Sequence, residues 1–484
     1  MNPLQSVAVI LCIVVFSVLP TDHSHGDEPA LIRSIESRSG QSWEAALQIW
    51  KWAEPGYQEF RSSKLLADTL DRAGFTVERG VADIPTAFVA TSGSGKPVIG
   101  ILGEFDALPG VSQQAHPERR IRDQAEYGHA CGHHLFGVAS MSAAIAIADQ
   151  LRADEVDGTI RFYGCPAEEG GSAKAFMTRA GLFDDCDIAL HWHPSSRNAV
   201  GDRSCLARIA VKFRFRGKSA HAASAPEQGR SALDAVELTN HAAQLLREHT
   251  PDLTRIHHVV TAGGDAPNVV PDFCEVFYYI RHPKNEVVRE LYPRLLKCAK
   301  AGALATETDL EVVYLGGTME LLPNNTLTKV AKANLTKLND LKYTDEQIRF
   351  AMRIHNSLAD PKPLESISDI TDVSGEVGKG STDVGDVSWV VPTAGFSTAC
   401  WVPGTPGHSW QAVAAGGTEI GRQGMQLAAK VLAANAWALF DDPRLLAAAK
   451  AEHRERLSGR TYDPMLESNQ PPPLDYRDSP KRVP

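Results

Sequence analysis

Apolar residues recur at helical spacing from about Ala30 to Ala73, with Trp43, Leu47, Trp50 and Trp52 inside a pattern that Pro55-Gly56 interrupts. The period then changes. Residues 87–91 read as a strand, and Val98-Ile99-Gly100-Ile101-Leu102-Gly103 is a continuous apolar run of the kind buried on both faces of a parallel sheet. An Ala- and Ile-rich helix is expected over 137–151, a strand over 159–163, a helix over 173–180 and a strand over 187–191. Strands alternating with helices predict an α/β fold with a doubly wound sheet, here expected to be mixed.

The pattern changes again after Arg203. Residues 207–215 alternate as a half-exposed strand, 230–248 form an amphipathic helix, and 256–262 and 273–280 read as two more strands. A helix over 286–303 and a strand over 310–315 complete the order βαββαβ, a ferredoxin-like unit. The chain of 484 residues is too long for one ordinary domain. The expected division is therefore a catalytic domain of residues 30–204 and 318–450, interrupted by an inserted domain at 205–317. A long Ala-rich helix is expected over 419–439. The stretch 463–484, with Pro471-Pro472-Pro473, reads as a flexible tail.

Composition narrows the class. A formal charge of -10 argues against a nucleic-acid partner, which would require a basic face. The uncharged apolar run at 7–19, followed by a polar stretch, has the length of a signal-peptide core, although no Lys or Arg precedes it. Residues 1–29 are thus expected to direct export to the periplasm or outside, with a membrane anchor as the alternative. Of eight cysteines, Cys12 would leave with such a segment, and the odd seven that remain resemble no disulfide framework.

Chemistry concentrates in a few motifs. His129-Ala130-Cys131-Gly132-His133-His134 crowds thiol and imidazole at a strand-to-helix junction, which suits zinc or a similar divalent ion. Two ligands do not hold an ion, so this hexapeptide alone is equally a buried histidine cluster. Pro166-Ala167-Glu168-Glu169-Gly170-Gly171 sets two carboxylates at the end of a buried strand, the edge where open α/β sheets place their sites. One can ligate metal while the other takes a proton from water. A further strand ends in Leu190-His191-Trp192-His193-Pro194, and a late loop carries Pro406-Gly407-His408-Ser409.

With Gly103-Glu104-Phe105-Asp106-Ala107-Leu108-Pro109 added, these collinear motifs resemble the aminoacylase and carboxypeptidase-G type metallopeptidases. They are most similar to the amidohydrolase branch with the hippurate and auxin-conjugate hydrolases. Gly380-Ser381-Thr382-Asp383-Val384-Gly385-Asp386-Val387-Ser388 is closer still to the aminobenzoyl-glutamate hydrolases. The resemblance runs from about residue 35 to 440. It implies two divalent ions per subunit, zinc or manganese, held by Cys131, His133, Glu169, His191 and His408, with Cys131 bridging. It implies Glu168 as general base and Asp106 as the residue that orients a histidine ligand. Gly217-Lys218-Ser219-Ala220-His221-Ala222-Ala223 resembles the family's dimerisation-domain motif, whose histidine reaches a neighbouring subunit's site and steadies the oxyanion. Asn268 matches a substrate-facing amide. A homodimer, or a heterodimer with a related subunit, is therefore expected.

Two positions depart from the family pattern. His134 stands where the family has Asp, and His193 lacks a counterpart, so His191 is the expected ligand. The implied activity is cleavage of the amide bond of a small N-acyl amino acid or dipeptide. A general exopeptidase or N-acyl-amino-acid deacylase is the alternative. A binding protein that had lost catalysis would not need Glu168.

Overall fold

The computed structural model describes residues 28–123 and 125–478; the run at 7–19 that motivates export lies outside them. Three helices open the described chain, Glu28–Ser37, Ser39–Trp52 and Phe60–Arg72, the last two separated at Pro55-Gly56 as the pattern predicts.

The larger sheet has eight strands. β1 (Thr76–Arg79) and β2 (Phe88–Ser94) form an antiparallel edge. β3 (Val98–Glu104) is buried along its whole length. The hairpin of β4 (Leu108–Pro109) and β5 (Tyr127–Gly128) stands apart as a small second sheet. β6 (Gly158–Cys165), β7 (Ile188–Ser195) and β8 (Asn198–Val200) precede the inserted domain. β9 (Ala207–Arg216), β10 (Arg255–Ala262), β11 (Phe273–His282) and β12 (Asp309–Thr318) make that domain, and β13 (Ile370–Asp372) and β14 (Thr393–Ala399) return to the first sheet. The order is β1-β2-β6-β3-β7-β14-β8-β13. β6, β3, β7 and β14 run parallel in the middle, and both sides carry antiparallel pairs. This is the mixed α/β sheet expected.

Parallel strands need cover on both faces. One cover is the helix His133–Ala153, packed on the sheet beside the helix Glu419–Asp441. His133–Ala153 is long and apolar enough to cross a membrane, but 94% of its most apolar window is buried inside the protein, as a core helix requires. Each large apolar side chain buried there contributes about 1.5–3 kcal/mol.

The inserted domain is a four-stranded antiparallel sheet, β10-β11-β9-β12, backed by helices Ala232–Arg247 and Asn285–Thr306. Alternation divides its faces. Phe213, Phe215, Val276, Tyr278 and Ile280 meet the helices, while Ala210, Phe277, Tyr279, Val313 and Leu315 turn towards the catalytic domain. β10 is an outer strand, with Val259 and Val260 exposed.

The expectation of a flexible tail over 463–484 is corrected for its described residues, 463–478. Met465 and Tyr476 are buried, with relative exposures of 2% and 5%. The segment lies where the two domains meet. Tyr314 donates to the Met465 carbonyl (3.0 Å), Lys212 to the Tyr476 carbonyl (3.1 Å) and Arg179 to the Gln470 carbonyl (2.6 Å). Its prolines and polar residues suggest disorder by composition. Three apolar anchors, Met465, Leu466 and Tyr476, inserted into two hydrophobic clusters override that signal.

Candidate metal centre

The parallel strands β3, β6 and β7 end at one rim of the sheet, and the chemistry-bearing residues follow from that. β3 ends in Glu104, and Asp106 lies just beyond; β6 runs out into the loop of Glu168 and Glu169; β7 carries His191 and His193. Cys131 and His133 arrive at the same rim through a tight turn at Gly132, whose φ of +75° only glycine adopts without strain. A Cβ at Gly132 would also lie 2.7 Å from the Pro194 ring. From far along the chain comes His408, itself at φ +58°, with its amide bonded to the Ala130 carbonyl (3.0 Å).

Side-chain donor atoms converge in three overlapping groups, each with its atoms within 4.8 Å of one another: Cys131, His133 and His193; Cys131, Glu169 and His408; and Glu104, His133 and Glu168. His133 Nδ1 bonds Asp106 Oδ1 at 2.7 Å, and Asp106 Oδ2 accepts from the Glu169 amide at 2.8 Å. One carboxylate thus fixes both the imidazole and the acidic loop. That leaves His133 Nε2 facing inward, 3.1 Å from Glu104 Oε2. The loop is pinned elsewhere too: the Ala167 amide donates to Glu59 (2.8 Å), and Tyr57 donates to the Gly171 carbonyl (2.7 Å).

The electrostatics are those of a cation site. Burial and the carboxylates of Glu104, Glu169 and Asp383 together raise Glu168 well above the ordinary carboxyl range. Burial and Glu169 push the Cys131 thiol up, but His193 and His133 outweigh them and bring it to about 6, so it is largely thiolate at neutral pH. Against burial, the hydrogen bond and charge of His408 hold Glu169 at about 2. Hydrogen bonds to Cys131 and Glu169 raise His408 to about 11. His133 Nε2, Glu104 Oε2 and Glu169 Oε1 are buried, the first two facing each other at 3.1 Å and the third facing His408 Nε2 at 3.3 Å. Inward-facing imidazole nitrogen, a thiolate and crowded acids fit divalent ions bound by sulfur, nitrogen and oxygen.

Most residues named from sequence meet here: Cys131, His133, Glu168, Glu169, His408 and Asp106. The preference for His191 over His193 is corrected. His193 Nε2 lies 3.4 Å from Cys131 Sγ, whereas His191 joins none of the convergent groups among the described residues. The ring of His191 packs against β14 where Gly395 has no side chain, and burial lowers it to about 3. His134 bonds the Gly416 carbonyl (3.0 Å) and burial lowers it to about 3, so it is a neutral core residue. His221 and Asn268 lie together on an exposed loop pair of the inserted domain and do not line the cavity of their own chain.

Sequence reasoning missed Glu104 and its partner Lys174, a fully buried amine 2.7 Å from Glu104 and 2.6 Å from Asp383. The signal was present: residues 104 and 106 are two apart at a strand end, which places both on one face. It also missed three arginines, Arg208, Arg281 and Arg477, that line the same cavity of about 730 Å³ as Glu168, Glu169 and His408. No disulfide links any of the seven described cysteines.

Comparison with known proteins agrees with this geometry. Residues 207–307 match the peptidase dimerisation domain. The chain is 41% identical to one of the subunits of p-aminobenzoyl-glutamate hydrolase from Escherichia coli, over 91% of this chain and 98% of that protein. It is 29% identical to the human Xaa-Arg dipeptidase, over 86% of this chain and 89% of that one. Among solved structures, a Klebsiella pneumoniae aminobenzoyl-glutamate utilization protein superposes with a TM-score of 0.59 at 17% identity, covering 85% of this chain and 98% of that one. A Bacillus subtilis dinuclear metal binding peptidase from the M20 family gives 0.53 at 16%, covering 84% and 99%. The chain belongs to the M20 family, that of the aminobenzoyl-glutamate hydrolases, and is a metal-dependent hydrolase of amide bonds.

Proposed function

We propose that this chain hydrolyses aminobenzoyl-glutamate or a close N-acyl amino acid, using two divalent ions, zinc or manganese, held by Cys131, His133, Glu169, His193 and His408. The observation that carries this reading is the convergence of the three donor groups around Glu168 inside one cavity. Divalent ions held there would supply a nucleophile by lowering the pKa of water and would polarise the amide carbonyl. Glu168 would accept a proton from the attacking water and deliver it to the leaving nitrogen, without which an amide does not break at a useful rate. Asp106 holds His133 in the tautomer that leaves Nε2 as a donor of electrons. Cys131 belongs to two of the donor groups, with His133 and His193 and with Glu169 and His408, so its thiolate would be a ligand common to both.

His221 serves a partner's site. It is exposed, its Nδ1 already accepts from the amides of Ala223 and Ser224 (3.2 Å each), and its free edge is Nε2–H, a donor for an oxyanion. Asn268 lies beside it, its carbonyl bonded to the Ala222 amide at 3.0 Å. The exposed valines of β10 mark the outer strand through which a second copy or a related chain would pair. Escherichia coli has two different subunits of the related hydrolase, and both are similar to this chain. The apolar segment at 7–19 would carry the enzyme out of the cytoplasm.

The test is a panel of N-(4-aminobenzoyl)-L-glutamate, N-benzoylglycine and Xaa-Arg dipeptides, followed by release of the free amino acid. Fastest release of glutamate supports the reading. Release from Xaa-Arg dipeptides alone, or from none of the panel with metals bound, would overturn it.

A further inference from the structure

Arg208, Arg281 and Arg477 lie on the wall of the cavity, which Arg203 also lines, and none of the three is paired with a carboxylate side chain among the described residues. Arg208 and Arg281 are direct cross-strand partners on β9 and β11, an arrangement of like charges that destabilises a sheet unless something offsets it. Both guanidinium groups pack on the ring of Tyr279, at 4.8 Å and 5.3 Å. Arg208 is only 5% exposed and has one polar contact, to Ser172 Oγ at 2.7 Å. The third, Arg477, comes from the C-terminal segment and donates through Nη2 to the Glu169 carbonyl. Its guanidinium, the Tyr279 hydroxyl and the Tyr476 ring all lie within 4.0 Å of the position a Cβ would take at Gly170. The groups therefore meet at one point beside the acidic loop.

The Nε atoms of all three are buried without a hydrogen-bond partner. Elsewhere in the same sheet, arginine meets acid: Arg214 bonds Glu275 at 2.6 Å and Glu311 at 3.0 Å. Burial, and then the charge of Arg208, lower Arg281 below its ordinary value. A bound anion would remove each of these penalties at once. Planar guanidinium groups also match carboxylate in a fork geometry that lysine does not offer.

We propose that Arg477, carried in by the C-terminal segment, completes with Arg208 and Arg281 a carboxylate site that holds the amino-acid half of the substrate beside the metal centre. This rests on the reading of the cavity as an amide-hydrolase site. It gives the segment Met465–Arg477 a task that its prolines conceal. Tyr476 is wedged edge-on against Tyr57 with ring centroids 5.7 Å apart, and donates to the Glu169 carbonyl at 3.0 Å, so the arginine beside it is fixed in place. The segment therefore ties the specificity site to the loop that carries the base. The cationic side chain of an Xaa-Arg dipeptide would be repelled from the same wall.

The test is calorimetric binding of L-glutamate, and of its uncharged bis-amide, to metal-loaded protein. Binding does not require turnover, so this proposal and the proposed function can fail separately. Arg477→Ala is expected to weaken glutamate at least tenfold, leave the bis-amide unchanged, and keep metal content and melting temperature near wild type. Arg477→Lys should recover only part of the loss. Unchanged glutamate binding in Arg477→Ala, an equal loss for both ligands, or no glutamate binding by the wild type at millimolar concentration would overturn the proposal. Intact charge-selective binding with no hydrolysis of any N-acyl amino acid would leave it standing and remove the proposed function instead.

Discussion

The acidic pair shows how two adjacent, chemically identical residues acquire opposite roles. Glu169 is held ionised by His408, whereas Glu168 is raised by burial and by three neighbouring carboxylates. Glu168→Gln should therefore keep its metals and lose turnover by on the order of 10²–10⁴-fold, the contribution of a positioned base. Near-normal turnover at unchanged metal content would remove that role. His193→Ala should lower metal occupancy, and His191→Ala should not; elemental analysis of the two proteins decides it. The spacing in the sequence could not separate them, because residues two apart on a strand share a face and differ only by about 6–7 Å along it. The resemblance favours His191, and the geometry brings His193 to the thiolate. Cys131→Ser should also lose metal, since an alcohol is a far poorer anionic ligand at neutral pH than a thiolate.

At the level of elements, the strand-to-helix turn at Gly132 determines whether Cys131 and His133 point into the site together. Gly132→Ala places a Cβ at φ +75° and against Pro194. It should cost on the order of 1–3 kcal/mol of stability and lower metal affinity, both readable from thermal unfolding with and without added metal. A variant as stable as wild type with full metal content would show that the turn is not under this constraint. The strands and helices around it were legible because their periodicity and the energetics agree: the run from Val98 is fully buried, and the six elements of the inserted domain fall in the order predicted. The tail was not legible. Two buried anchors and one half-buried one, spread over twelve residues, make no periodic pattern, and the sites they occupy belong to two other parts of the chain. Arg208, Arg281 and Arg477 were missed for the same reason, being brought together only by a cross-strand pairing and a returning terminus.

For the whole molecule, the distribution of residues predicts a composite enzyme. Metal-site residues lie in the catalytic domain, while His221 and Asn268 stand exposed on the inserted domain and do not line the cavity that holds the metal-site residues. Mixing inactive His221→Ala with inactive Glu168→Gln should restore part of the activity, because a mixed dimer holds one site with both residues intact. Exchange of chains shown by a tagged pull-down, without recovery, would place His221 outside the reaction. Loss of an oxyanion donor should itself slow His221→Ala on the order of a hundredfold or more.

The account as a whole stands on cations bound by this cluster being what makes amide hydrolysis possible. The direct measurement is to strip the purified protein with a chelator, return zinc or manganese in steps, and follow both bound metal and glutamate released from N-(4-aminobenzoyl)-L-glutamate. Activity should be absent after stripping and should saturate at two ions per chain, and Glu168→Gln should take up the same two ions without turnover. Full hydrolysis by protein that elemental analysis finds free of metal would contradict it.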